Sequence, residues 1–208
     1  MIDSLFKQLA TIELIDWVAM FAGILGVLLS IKERPSAWPL FILCYSAYIY
    51  ISLRSRYYAF AGMNVGFVVI AIYGWYNWSG AISQDTGKKK PSPEISSLPQ
   101  KLWLFVFLFL SISTVAIGLM LLKVGAARFP FWDAFAVSNA LIAQWMLSQK
   151  HIENWIFWIL SDLVYITLFL NDKLWPSVIL FGAFIILACK GWHDWQKSIK
   201  NDASASNS

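Results

Sequence analysis

Seven apolar runs, each of about 17–22 residues, are separated by short clusters of charge. As helices, runs of this length cross a hydrocarbon core roughly 30 Å thick. Lipid offers the backbone no hydrogen-bond partners, so a spanning segment must satisfy its own, as a helix does. The runs lie at about 13–31, 37–53, 57–78, 102–122, 131–149, 154–171 and 174–192. They predict an all-α integral membrane protein with seven transmembrane helices. Composition agrees: 59% of the 208 residues are hydrophobic and only 13% are charged, which excludes an ordinary soluble domain. The net charge of +4 sits in loops and tail. It fits orientation signals in a bilayer, and nucleic acid is not an expected partner.

The connections divide the chain. Residues 1–12 are mildly amphipathic and are expected at the surface. Residues 79–101 carry Gly80, Gly87, three prolines and Lys88-Lys89-Lys90, the composition of a flexible linker. Residues 196–208 are expected to form a disordered tail, and no removable signal peptide is expected. Lys and Arg are ten against six in favour of the side holding the linker and the C-terminus, which predicts an outside N-terminus and a cytoplasmic C-terminus. Cys44 and Cys189 lie within apolar runs and are expected as core residues, not a disulfide.

Laying residues 13–78 over 130–195 without a gap reveals an internal repeat. Asp16 falls on Asp133, Trp38 on Trp155 and Tyr48 on Tyr165, and a Gly-Trp-x-x-Trp sequence closes both segments. Thirteen of the 66 aligned positions are identical, and composition alone does not place that motif twice at one offset. The reading is a 3+1+3 arrangement: a first three-helix repeat over 13–78, a connecting helix over 102–122 and a second repeat over 131–195. An odd connecting helix gives both triplets the same orientation, hence a parallel repeat. Such repeats build transporters with a substrate site near the midplane.

Within the second repeat, residues 153–162 read Glu-Asn-Trp-Ile-Phe-Trp-Ile-Leu-Ser-Asp. Trp155, Trp158, Asp162 and Tyr165 follow at three, four and three residues, which stacks them on one helix face. Asp162 lies roughly 10 Å along the axis from Trp155. At that depth a carboxylate costs roughly 2.5–3.5 kcal/mol to insert and marks either a substrate path or a polar partner on another helix. Two indoles above a deep acid suit a flat organic cation; an interfacial aromatic belt is the other reading of Trp155. Asn64, Asn139 and Gln144 are deep polar residues that either hydrogen-bond a ligand or join two helices. Asp133 is explained by its place at a helix start. No nucleophile with a base, no metal cluster and no cofactor motif is visible, and His151 and His193 lie at span ends. No enzyme activity, metal or cofactor is expected.

Phe-Pro-Phe-Trp-Asp at 129–133, the stretch at 153–162, and Ile-Tyr-Gly-Trp-Tyr-Asn-Trp at 72–78 together resemble PnuC-type vitamin transporters over residues 13–195. Trp155, Trp158 and Asp162 match the Trp-x-x-Trp-x-x-x-Asn/Asp binding motif of that family. The resemblance implies a fold related to SWEET sugar transporters in the bacterial inner membrane. It also implies facilitated diffusion of a vitamin, typically nicotinamide riboside, followed by trapping through a cytoplasmic kinase. Many nicotinamide riboside members carry Asn near Cys44 and Gln where this chain has Asn64. The Gly62-Met63-Asn64-Val65 segment is nearer to some thiamine-carrying relatives. A small cationic vitamin is thus the expected partner, nicotinamide riboside first and thiamine as the alternative. Proton coupling through Asp162 and homo-oligomerisation stay open.

Overall fold

The computed structural model describes residues 13–54, 58–80, 92–125 and 127–205. The N-terminal segment and Lys88-Lys89-Lys90 of the linker lie outside these residues. Seven α-helices occur among the described residues: α1 (Leu14–Ile31), α2 (Ala37–Arg54), α3 (Tyr58–Trp78), α4 (Gln100–Val124), α5 (Pro130–Ser148), α6 (Asn154–Asn171) and α7 (Trp175–Ala205). Four of them, α1, α4, α6 and α7, are long and apolar enough to cross a membrane. The other three are of similar length but carry more polar side chains. In α5, Ser138, Asn139, Gln144 and Ser148 are all buried against protein. Such side chains lower hydropathy without meeting lipid.

Helix boundaries follow local chemistry. At the start of α1, the Asp16 carboxylate accepts the Glu13 backbone N–H at 3.0 Å, satisfying one of the amides left over at a helix N-terminus. Asp133 lies in the first turn of α5, where a carboxylate meets the positive end of the helix dipole. The C-terminus of α1 closes with Glu33 N–H to Ser30 C=O and Arg34 N–H to Leu29 C=O; that of α5 closes with Lys150 N–H to Leu147 C=O and His151 N–H to Met146 C=O. Both are Schellman caps, with Glu33 and Lys150 at the left-handed position (φ 54° and 57°).

The helix α7 continues to Ala205, through residues expected to begin a tail at 196. Trp195 is buried, which anchors this extension. Cys44 is buried as expected, but Cys189 is exposed on α7, and both are free thiols. The α4 helix is covered least: only Val106 and Gly118 are buried, and Leu104, Phe105, Ile112 and Leu119 stand more than half exposed.

The described residues cluster into two compact units. One comprises the described residues within Ser97–Ala143 and Glu153–Trp192; the other comprises those within Glu13–Ser96, Gln144–Ile152 and His193–Ser208. In the first, the indole of Trp155 lies against Gly191, where an added Cβ would stand 2.6 Å from ring carbons. In the second, the indole of Trp38 lies against Gly74 in the same way. Both tryptophans are buried, and glycine is what permits so close an approach.

Candidate functional site

Four of the expected site residues stand on α6. Trp155 is 1% exposed and its indole is committed to the Gly191 contact, so it is not an interfacial anchor. Trp158, one turn further, is half-buried and has no ring partner among the described residues. Tyr165 is also half-buried; its ring stacks on Phe169 at 5.7 Å and tilts against Phe181 at 5.2 Å. Asp162 is 4% exposed. Among the described residues no salt bridge or hydrogen bond reaches its carboxylate. A buried acid with no partner is costly, because desolvation is not offset by pairing.

The neighbouring turn, Ser161, donates its Oγ–H to the Ala136 carbonyl at 2.9 Å. That bond fixes the Asp162 turn of α6 beside the α5 turn that precedes Asn139. Asn139 is fully buried; its amide nitrogen donates to Phe135 C=O at 2.8 Å, while Oδ1 has no hydrogen-bond partner among the described residues. Ser138, one position earlier, accepts a hydrogen bond from Ser113 of α4 at 2.8 Å.

Asn64 and Gln144 belong to the other unit. Asn64 is buried and donates to the Phe60 carbonyl one turn back at 2.8 Å. Gln144 is fully buried, and its Oε1 accepts from the Tyr45 hydroxyl at 3.2 Å. Its Nε2 has no hydrogen-bond partner among the described residues, so the tyrosine leaves the amide with a donor to offer. Tyr45 was not among the expected site residues. The signal is present in the sequence, since Tyr45 falls on Asp162 when residues 13–78 are laid over 130–195.

The family model for the nicotinamide mononucleotide transporter matches residues 13–197, nearly the whole described chain. The chain belongs to this family. Its members are transporters, which points to a multi-pass membrane carrier and away from an enzyme. The chain is 25% identical to the nicotinamide riboside transporter PnuC of Escherichia coli (strain K12), over 91% of this chain and 88% of that one. It is 24% identical to the riboflavin/roseoflavin transporter RibM of Streptomyces davaonensis, over 88% and 87% of the two chains. A solved structure described as the crystal structure of the Vitamin B3 transporter PnuC superposes with a TM-score of 0.70. It covers 90% of this chain and 82% of its own at 20% identity, a likeness of fold.

Proposed function

We propose that the chain carries nicotinamide riboside across the bacterial inner membrane by facilitated diffusion, with the N-terminus outside and the C-terminus in the cytoplasm. The observation behind this reading is Asp162, a buried carboxylate without a partner among the described residues, on the same helix as the half-buried Trp158. A flat cation supplies both missing interactions. Its positive ring offsets the carboxylate, and stacking on the indole contributes roughly 0.5–2 kcal/mol. Trp155 serves the site by holding α6 against Gly191, Tyr165 continues the same face beyond Asp162, and the Oδ1 of Asn139, without a hydrogen-bond partner among the described residues, accepts from a ligand hydroxyl or amide. The buried amides of Asn64 and Gln144 extend the proposal on chemistry alone, as readers of hydroxyl groups. Riboflavin, the cargo named for one relative, carries no ring charge to answer Asp162. Thiamine does, and it is the second candidate.

The architecture proposed is seven spans in a 3+1+3 parallel repeat, with 13–78 and 131–195 as the repeats around a connecting span. The equivalent Trp38–Gly74 and Trp155–Gly191 packings support it. The test is uptake of labelled nicotinamide riboside into proteoliposomes down its own gradient, with no pH gradient. Accumulation of unchanged vitamin to the external concentration is expected. Uptake of riboflavin but not nicotinamide riboside, or uptake only with an imposed pH gradient, contradicts the reading.

A further inference from the structure

The ends of α1, α3 and α5 and the Trp195 turn of α7 are tied by bonds that recur crosswise at the repeat offset of 117 positions. Trp78 Nε1–H donates to the Ser148 carbonyl at 3.2 Å, and Trp195 Nε1–H donates to the Ile31 carbonyl at 3.1 Å. Trp78 and Trp195 are equivalent in the repeat, and so are Ile31 and Ser148. Each repeat therefore lends its closing tryptophan to the first helix of the other. The two indoles lie 6.4 Å apart. Beside them Glu33 and Lys150, a third equivalent pair, meet each other: Lys150 Nζ is 2.9 Å from Glu33 Oε2 and 4.9 Å from the Trp78 ring centroid. Asn77 adds a second bond to the Ser148 carbonyl at 2.8 Å.

Two features set this cluster apart from ordinary surface pairing. The Lys150 side chain is only 6% exposed while Glu33 is 34% exposed, so the lysine end of the ion pair is sheltered and the carboxylate end is partly open to solvent screening. Both partners also occupy the left-handed cap position, where glycine is preferred and a side chain costs roughly 1–2 kcal/mol. Strained positions of this kind gather at clamps and switches. The turn bearing Lys150 is further strapped by Ser96, whose N–H donates to Lys150 C=O and whose C=O accepts from Ile152 N–H at 3.1 and 3.0 Å.

We propose that Glu33, Lys150, Trp78 and Trp195 form a latch that shuts the C-terminal end of the transport route and breaks when the route opens there. This rests on the carrier reading above, but its test reads opening and not transport. In a chain with Cys44→Ala and Cys189→Ser, the fully buried Ser148 is replaced as Ser148→Cys, and labelling by a membrane-impermeant thiol reagent is followed from the C-terminal side. Glu33→Gln should raise the labelling rate roughly tenfold to a hundredfold, the range for losing a hydrogen bond between charged groups. The exchanged pair Glu33→Lys with Lys150→Glu should bring the rate back toward the parent. Trp195→Phe, which keeps the ring and removes the donor, should raise it independently. An unchanged rate in both Glu33→Gln and Trp195→Phe, or an exchanged pair that labels as fast as Glu33→Gln, overturns the latch. Faster labelling in a protein that carries no nicotinamide riboside would sustain the latch and reject the substrate.

Discussion

Trp38 and Trp155 make the same contact at two places in the chain, each laying its indole over a helical glycine, Gly74 in α3 and Gly191 in α7. The four residues are buried or tightly packed, and the pairs join α2 to α3 and α6 to α7. A methyl group at Gly191 would stand 2.6 Å from the Trp155 ring, well inside contact distance. Gly191→Ala and Gly74→Ala are therefore each expected to cost about 1–3 kcal/mol through overpacking. Thermal unfolding in detergent checks this. A melting temperature unchanged by both would show that the indoles yield without strain.

Trp155 and Trp158 are expected to part company on mutation. Trp155→Ala empties a buried notch and should cost about 3–5 kcal/mol of stability, with ligand affinity falling as a consequence. Trp158→Ala removes a half-buried ring with no ring partner among the described residues. It should leave the melting temperature within a few degrees of wild type and weaken binding by about 0.5–2 kcal/mol. Calorimetric titration beside thermal unfolding separates the two. A Trp158→Ala protein that binds like wild type would remove the indole from the site.

Tyr45 is expected to set the direction of the Gln144 amide. Tyr45→Phe keeps the ring stack on Phe67, 4.9 Å away, and releases only the bond to Oε1. One neutral hydrogen bond is worth about 0.5–1.5 kcal/mol, so affinity should change by a factor of about two to ten with little loss of stability. Equal affinity in Tyr45→Phe and wild type would mean that Gln144 serves helix packing and not the ligand.

How much of this was legible beforehand depended on whether a residue's role is local. The helices were readable because run length and hydropathy act segment by segment, and the face shared by Trp155, Trp158 and Asp162 follows from helical spacing alone. The partner of Trp155 was not readable from its own neighbourhood, although Gly191 stood in the repeated motif. The Glu33–Lys150 pair escaped because comparison of the repeats rewards identity, and here equivalent positions carry opposite charges. Tyr45 escaped for the same reason, sitting opposite an aspartate in the repeat. The extension of α7 escaped because Lys197 and Lys200 read as part of a solvated tail, while Trp195 just before them is buried.

Orientation is open to a direct check. With Lys and Arg in excess on the C-terminal side, a reporter fused after Ser208 should be active in the cytoplasm and silent outside. The reverse pattern would invert the topology without touching the site.

Asp162 is expected to answer the positive charge of the ligand. Its carboxylate is buried and without a partner among the described residues, so Asp162→Asn removes charge while preserving shape. The decisive measurement is the ratio of affinities for nicotinamide riboside and a neutral analogue lacking the ring charge, in wild type and in Asp162→Asn. Wild type should favour the cation, and Asp162→Asn should narrow that preference while still binding. An identical preference in both proteins would contradict the account and leave cation recognition to Trp158 and its neighbours.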